Sequence, residues 1–125
     1  MLDELLSKQA EVISKVAEDK TANSLGVYAI SRPDTHKIIY VGKTKTKSIQ
    51  GRMKDHLQHK HGDTDSDLAN MVIKREKLPQ NYSDYLVRYI SINEPRDRMR
   101  FEMFAISVLD PALNKDDNKA PLKRK

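Results

Sequence analysis

Residues 26–43 read GVYAISRPDTHKIIYVGK and carry the clearest signal for the fold in this sequence. Two runs rich in β-branched and aromatic residues, 26–30 and 37–41, predict short strands. Pro33 and Asp34 lie between the runs and are typical of a turn. The stretch therefore predicts an antiparallel hairpin whose second strand ends at Gly42.

Helical periodicity surrounds this hairpin on both sides. Apolar residues recur at helical spacing over residues 2–20, which predicts an amphipathic helix. Ser48 can cap a helix over residues 49–60, and Asn93, with Pro95 in the first turn, opens a final helix that ends near Leu109. The remaining predicted elements are a short helix over 66–77 and a strand over 85–92.

This order of elements predicts an α+β fold, an α/β sandwich with a small, mainly antiparallel three-stranded sheet flanked by helices. We predict an additional N-terminal helix, which covers residues 1–22. The main domain covers residues 25–114. A basic C-terminal tail, residues 115–125, follows it and has the composition of a chain end.

Composition narrows the class of protein. A chain of 125 residues, 38% hydrophobic and 33% charged, fits one compact domain with a heavily charged surface. The absence of cysteine excludes disulfides, thiolate zinc sites and thiol nucleophiles. No apolar run approaches the roughly 20 residues of a membrane span. Acidic residues stand where a secretory signal has a basic region, so we expect an intracellular, cytoplasmic protein.

Positive charge is concentrated in one part of the chain. The sequence has 23 Lys and Arg against 18 acids, a net charge of +5. Between residues 37 and 61 there are seven Lys or Arg and one acid, Asp55. A concentrated basic stretch is typical of contact with a phosphate backbone, although an ordinary solvated surface has the same composition.

Glu102 is the residue that a purely structural interpretation fits least well. On a helical wheel it lies among the apolar residues Met99, Ala105, Ile106 and Leu109. A buried, unpaired carboxylate costs several kcal/mol. Glu102 is therefore either paired with a cation, for which Arg52 and Arg88 are candidates, or open to a cleft where it can bind a metal ion.

Two further sets of polar residues lie on the predicted hairpin and on the helix after it. Arg52 and His56 are four residues apart, so they share one side of a helix and can clamp a phosphate and move a proton. Tyr28 and Tyr40 lie on adjacent strands, each near a glycine. The cluster of His56, His59 and His61 lacks the ligands that would complete a zinc site.

Taken together, these residues resemble the GIY-YIG nuclease family. Gly26-Val27-Tyr28 and Tyr40-Val41-Gly42 stand for its two triplets, with valine in place of the usual isoleucine. Lys43 follows the second triplet, Arg52 and His56 follow on a helix, and Glu102 lies on a later helix. Asp110-Pro111-Ala112-Leu113-Asn114 resembles the closing segment of the family. The resemblance covers residues 25–114.

The resemblance implies an endonuclease that hydrolyses phosphodiester bonds with a single Mg²⁺, or Mn²⁺, held by Glu102. Arg52 would neutralise charge in the transition state, and Tyr28, Tyr40 and His56 would position water and transfer protons, with the general base left open. The implied nucleic-acid contacts are Lys43, Lys45, Lys47 and Asn114. DNA is the expected substrate, with RNA not excluded, and no membrane is expected.

Two features lie outside the family pattern. The loop over residues 43–50 is longer than in compact members, and the helix over residues 1–20 is additional. Dimerisation, docking of a partner protein and capping of the core are the roles that stay open for this helix. A restriction enzyme usually has inserted recognition elements, and residues 62–84 would be a modest example if this protein is one. Two alternatives stay open: a non-catalytic nucleic-acid-binding module, and a nuclease subunit that takes its specificity from a partner.

Overall fold

The structure is a computed structural model that describes residues 1–58, 68–75 and 77–114. The predicted tail at 115–125 and the histidines at 59 and 61 lie outside these residues. In chain order the elements are α1 Leu2–Ser7, β1 Glu11–Val12, α2 Ile13–Ala17, β2 Gly26–Ser31, β3 Ile38–Lys43, α3 Ile49–His56, α4 Leu68–Ile73, a 3₁₀ turn Tyr82–Asp84, β4 Leu86–Ser91 and α5 Pro95–Leu109.

The sheet is antiparallel throughout, with strand order β1-β4-β2-β3. The predicted hairpin is present as β2 and β3, in a register that places Tyr28 opposite Gly42. The predicted α+β class is confirmed. The number of strands differs from the prediction, because the sheet has four strands and not three.

The additional strand comes from the segment predicted as one helix over residues 2–20. That prediction is wrong: α1 ends at Ser7, and Glu11 and Val12 pair with Val87 and Leu86 of β4 before α2 begins. The reason is packing. Leu5 is buried on one face of the sheet and Ile13 on the other, so the chain must cross the edge of the sheet between them. Leu5, Ile13 and Val16 of this segment are buried in the core, which corresponds to the core-capping role, whereas contact with a second copy or a partner protein stays a prediction.

Successive side chains of each strand point to opposite faces of the sheet, and the core is therefore divided into two clusters. On one face, Tyr28 and Tyr40 pack with Met53 of α3, with residues of α2 and with residues of α4. On the other face, Val27 and Val41 pack against Phe101 and Ala105 of α5. Helices α3 and α5 therefore lie on opposite faces of the hairpin.

The ends of the helices follow local capping chemistry. The Ser48 hydroxyl accepts the N–H of Gly51 at 3.1 Å, which confirms the predicted cap of α3. Helix α5 is capped by Glu94 and not by Asn93, because the Glu94 carboxylate accepts the N–H groups of Arg96 and Asp97. Helix α4 is shorter than predicted within the described residues. No helix of the described residues is both long and apolar enough to cross a membrane.

Candidate active site

The two glycines of the hairpin make room for the backbone and the tyrosines. A Cβ atom at Gly26 would overlap the backbone carbonyl oxygen of Ile90 in β4. A Cβ at Gly42 would lie 2.5 Å from Oη of Tyr28 and 2.9 Å from Cε2 of Tyr40. Glycine at both positions therefore allows close approach, of a strand in the first case and of two aromatic rings in the second.

The structure brings Tyr28, Tyr40 and His56 together over Gly42. The ring centroids of the two tyrosines are 6.3 Å apart, and the imidazole lies 5.3 Å from the Tyr28 ring and 5.8 Å from the Tyr40 ring. Oη of Tyr28 is 2.7 Å from Nε2 of His56. Tyr28 and His56 are both 0% exposed, and Tyr40 is 7% exposed. The cluster is thus a buried hydrogen-bonded pair with a second phenol beside it.

The hydrogen bonds of His56 define its tautomer. The backbone N–H of Leu68, at the start of α4, donates to Nδ1 at 2.8 Å. A nitrogen that accepts a hydrogen bond carries no proton, so the proton of the neutral ring is on Nε2 and is donated to Tyr28. Burial, with a smaller contribution from Arg52, holds the pKa of His56 well below its usual range. His56 is therefore a neutral hydrogen-bond donor at neutral pH.

Arg52 lies one turn before His56 on α3, as predicted from the spacing. Its side chain is 18% exposed, and its guanidinium is 3.7 Å from the Asp55 carboxylate. That carboxylate also accepts two hydrogen bonds from Nζ of Lys47, at 2.9 and 2.7 Å. Arg52 and Lys47 thus form a partly exposed basic group around one acid, at the surface of the α3 side of the hairpin.

Glu102 lies on the other side of the sheet, where α5 packs on β3. Its side chain is 19% exposed, and its carboxylate is 3.8 Å from Nζ of Lys43. The neighbouring cation is therefore Lys43, and not Arg52 or Arg88, the two candidates considered for a structural salt bridge. Burial raises the pKa of Glu102, and Lys43 and Lys45 oppose that shift. The charges of the two lysines thus offset only part of the rise in the Glu102 pKa that burial causes.

Strand β3 connects these two groups. It lies at the edge of the sheet, and successive side chains of a strand point to opposite faces. Tyr40 and the open position at Gly42 therefore face α3, whereas Lys43 faces α5 and Glu102. The aromatic cluster and the carboxylate are consequently held on the two faces of one edge strand, near its C-terminal end.

Asn114 supports this edge strand directly. Its side-chain oxygen accepts the N–H of Val41 at 2.7 Å, and its side-chain nitrogen donates to the carbonyl of Val41 at 2.8 Å. The amide thus pairs with β3 as a neighbouring strand would. Asn114 is only 3% exposed, so its amide holds β3 in place, and the predicted contact with a phosphate stays a prediction that would require this amide to be uncovered.

The structural roles of two buried polar residues of this region were not predicted from the sequence. Thr44 accepts the N–H of Gly26 on its hydroxyl at 2.9 Å, and Arg98 donates to backbone carbonyls of the same loop. For Arg98 a signal existed, because it shares the helical face of Phe101 and Ala105, which points into the core. Arginine is so often exposed that this position was not singled out.

Glu102 is the carboxylate of this region that the sequence predicts as a metal ligand. No group of three or more His, Asp or Glu side chains that could hold a metal occurs among them. A site that depends on Glu102 would therefore have one protein ligand, and Mg²⁺ fits such a site because it keeps several of its waters. The incompletely compensated desolvation of Glu102 also favours an additional cation.

The fold and this set of side chains define a small α+β catalytic domain of the nuclease type. The family model for the GIY-YIG catalytic domain matches residues 24–115 of the 125-residue chain. The chain belongs to the GIY-YIG family, so the predicted family is confirmed and nucleic acid is the substrate class that it implies. No curated protein and no solved structure matches this chain closely enough to add a finer comparison.

Proposed function

We propose that this protein is a metal-dependent DNA endonuclease that hydrolyses phosphodiester bonds at the edge of strand β3. The observation that carries the proposal is the half-buried carboxylate of Glu102, which lies 3.8 Å from Lys43 on the strand that also bears Tyr40. A protein that only binds nucleic acid gains nothing from an acid in its basic surface, because the acid repels phosphates. A metal-binding role explains its presence.

Glu102 would hold Mg²⁺ or Mn²⁺ through a carboxylate oxygen. The bound ion would supply charge at the phosphate and stabilise the leaving 3′ oxygen. Lys43 would have two roles next to Glu102: it keeps the carboxylate ionised, and it offers a cation to a phosphate oxygen. The exposed Lys45 extends the same positive surface.

On the opposite face of β3, Arg52 would neutralise charge on the phosphate as the transition state forms. Its partial exposure gives it access to the surface. His56 would act as a donor to Tyr28, because its Nδ1 is occupied by the Leu68 N–H and its Nε2 carries the proton. The phenols, and not the imidazole, are then the candidates for the general base, and only as phenolates that a nearby cation would stabilise, because a neutral phenol cannot take a proton from water. Tyr40 is the more exposed of the two.

The basic residues around this edge suit the phosphate backbone of the proposed substrate, which DNA and RNA share. Lys45 and Lys47 are exposed in the loop between β3 and α3, and Arg52 follows on α3. Contacts of this kind bind phosphates and carry no sequence information, so binding by these residues alone would be non-specific and salt-dependent.

Cleavage of supercoiled plasmid, with Mg²⁺, Mn²⁺ or EDTA, tests the proposal. We expect Glu102→Gln, which removes the charge and keeps the shape, to lower the cleavage rate about a thousand-fold, as a loss of several kcal/mol in transition-state stabilisation implies. Glu18→Gln, at an exposed position after α2, is the matched control and should cleave at the wild-type rate.

Retention of DNA binding in Glu102→Gln would separate catalysis from affinity. Two results would count against the proposal. Cleavage by Glu102→Gln at the wild-type rate would remove Glu102 from the site. Salt-sensitive DNA binding by the wild-type protein, with no cleavage under any metal condition, would favour the non-catalytic binding module.

A further inference from the structure

Arg98 is a buried cation near the start of α5. It is 4% exposed, and its guanidinium donates hydrogen bonds to the carbonyl oxygens of Thr44, Ile92 and Asn93, each at 2.9 Å, and of Lys45 at 3.4 Å. Within the part of the chain that the structure describes, no carboxylate pairs with it. All of its acceptors there are backbone oxygens.

These carbonyls belong to two segments that are distant in sequence. Ile92 and Asn93 follow β4, whereas Thr44 and Lys45 follow β3. Strand β2 lies between β4 and β3, and both segments reach the end of the sheet where β2 begins. The Arg98 side chain therefore lies across the start of β2 and connects the segment after β3 to the N-terminal end of α5.

The same segment is attached to β2 by Thr44. The N–H of Thr44 donates to the carbonyl of Gly26 at 2.9 Å, and the Thr44 hydroxyl accepts the N–H of Gly26 at the same distance. With its amide, hydroxyl and carbonyl all engaged, Thr44 is fixed on three sides. Its direct neighbours in sequence are Lys43 and Lys45, the two lysines whose charges act on Glu102.

Burial of a guanidinium to join two segments has a high cost in free energy. Its desolvation costs several kcal/mol, and an apolar side chain of similar size often stabilises a core as well or better. The planar guanidinium has, however, five N–H groups in a fixed arrangement, so it can hold carbonyls from two segments at once. The cost is explained if the position of these backbone groups matters for the reaction.

We propose that Arg98 is a positioning residue for the nuclease reaction: it fixes the backbone of Thr44 and Lys45 and thereby holds Lys43 and Lys45 beside Glu102. Arg98 and Glu102 lie one turn apart on α5, so a single rigid helix carries the carboxylate and the group that places its cationic neighbours. This inference rests on the proposed function, because it concerns the same carboxylate.

The test compares Arg98→Met with Arg100→Met, which removes the same charge from an exposed position of the same helix. We expect Arg98→Met to lower kcat about 10- to 100-fold, since a displacement of about 1 Å can have an effect of that size. The KM for DNA should change by a smaller factor than kcat, since Lys47 and Arg52 do not depend on Arg98, and Arg100→Met should keep the wild-type kcat. Arg98→Lys keeps the positive charge but not the planar arrangement of five N–H donors, so it should lose activity as well. This variant replaces Arg98→Met in the test if Arg98→Met does not fold.

A double-mutant cycle with Lys43→Met separates positioning from general destabilisation. If Arg98 acts through Lys43, the double variant should be little slower than Lys43→Met alone, whereas independent effects multiply. Amide hydrogen exchange at Thr44 is a second readout that does not depend on activity. It should become faster in the Arg98 variants and stay unchanged in Arg100→Met.

Multiplicative losses in the cycle, or unchanged exchange at Thr44, would overturn the role of Arg98. These outcomes differ from failure of the proposed function. If the wild-type protein does not cleave DNA, the nuclease proposal fails, and with it any catalytic role of Arg98. Cleavage by the wild type, together with wild-type kcat in folded Arg98→Met or Arg98→Lys, would overturn the positioning role alone.

Discussion

Gly42→Ala perturbs the aromatic cluster with a single methyl group. The added Cβ would lie 2.5 Å from Oη and 2.6 Å from Cζ of Tyr28, and 2.9 Å from Cε2 of Tyr40. Tyr28 cannot swing into free space, because it is fully buried and hydrogen-bonded to His56. Overpacking of a core costs about 1–3 kcal/mol. Loss of the hydrogen bond adds about 1 kcal/mol. We therefore expect a destabilisation of about 2–4 kcal/mol.

Gly51→Ala is the matched control, because it adds the same methyl group where there is room. The nearest atom is Cβ of Lys47 at 3.4 Å, and Gly51 lies within helix α3, where alanine is favoured over glycine by about 0.5–1 kcal/mol. Urea unfolding gives both free energies of unfolding, and plasmid cleavage under conditions where both variants are folded gives the rates.

We expect Gly42→Ala to be less stable and markedly slower in cleavage, and Gly51→Ala to be as stable as the wild type or more so. Equal stability and equal cleavage rates for Gly42→Ala and the wild type would contradict the packing of Tyr28 and Tyr40 over Gly42. That result would mean that the two tyrosines pack away from Gly42, and that the buried Tyr28–His56 pair does not depend on the absence of a side chain there.

Two further predictions concern buried polar groups. The pKa of an imidazole in the unfolded chain is about 6.5, whereas burial lowers the pKa of His56 in the folded protein. As the pH falls below about 6.5, the unfolded state therefore takes up a proton before the folded state does. The free energy of unfolding should then fall by up to about 1.4 kcal/mol per pH unit. Urea unfolding from pH 5 to 8 should show this loss of stability in the wild type and in the control His36→Asn, whose substituted position is exposed. The loss should be absent in His56→Gln, and the same dependence of stability on pH in His56→Gln as in the wild type would contradict the prediction. Asn114→Leu leaves the buried N–H and C=O of Val41 without their amide partner, so we expect thermal unfolding to report a loss of about 2–4 kcal/mol, and an unchanged melting temperature would contradict the pairing.

The hairpin, helix α3 and helix α5 were predictable because their signals are local. Strand residues alternate within a few positions, and Ser48 caps α3 through an atom three residues away. Strand β1 was not predictable in this way. It exists because Glu11 and Val12 pair with residues about 75 positions later in the chain, and the helical spacing of the flanking apolar residues gives no sign of that pairing.

The candidate site was predictable to a similar extent. The strand register follows from the hairpin, so it brings Tyr28 and Tyr40 close, and the Arg52–His56 spacing follows from a helix. What the sequence did not give was burial. It does not show that Leu68 would donate to His56 and fix its tautomer, nor that the acceptors of Arg98 are carbonyls of loops up to 54 positions away.

Burial of these groups has a mechanistic consequence for the edge strand. Electrostatic stabilisation of a transition state is effective when charges are fixed before the reaction, because little energy then goes into rearranging them. Strand β3 has a neighbouring strand on one side only, so its free side would ordinarily be the more mobile. The Asn114 amide occupies that side at Val41, and Arg98 holds the segment directly after Lys43. Lys43, which faces Glu102, is thus bracketed by two buried polar anchors that belong to other parts of the chain. A nuclease built on this edge needs those anchors for the geometry of its charges, and so their loss should lower kcat by more than the loss of stability alone explains.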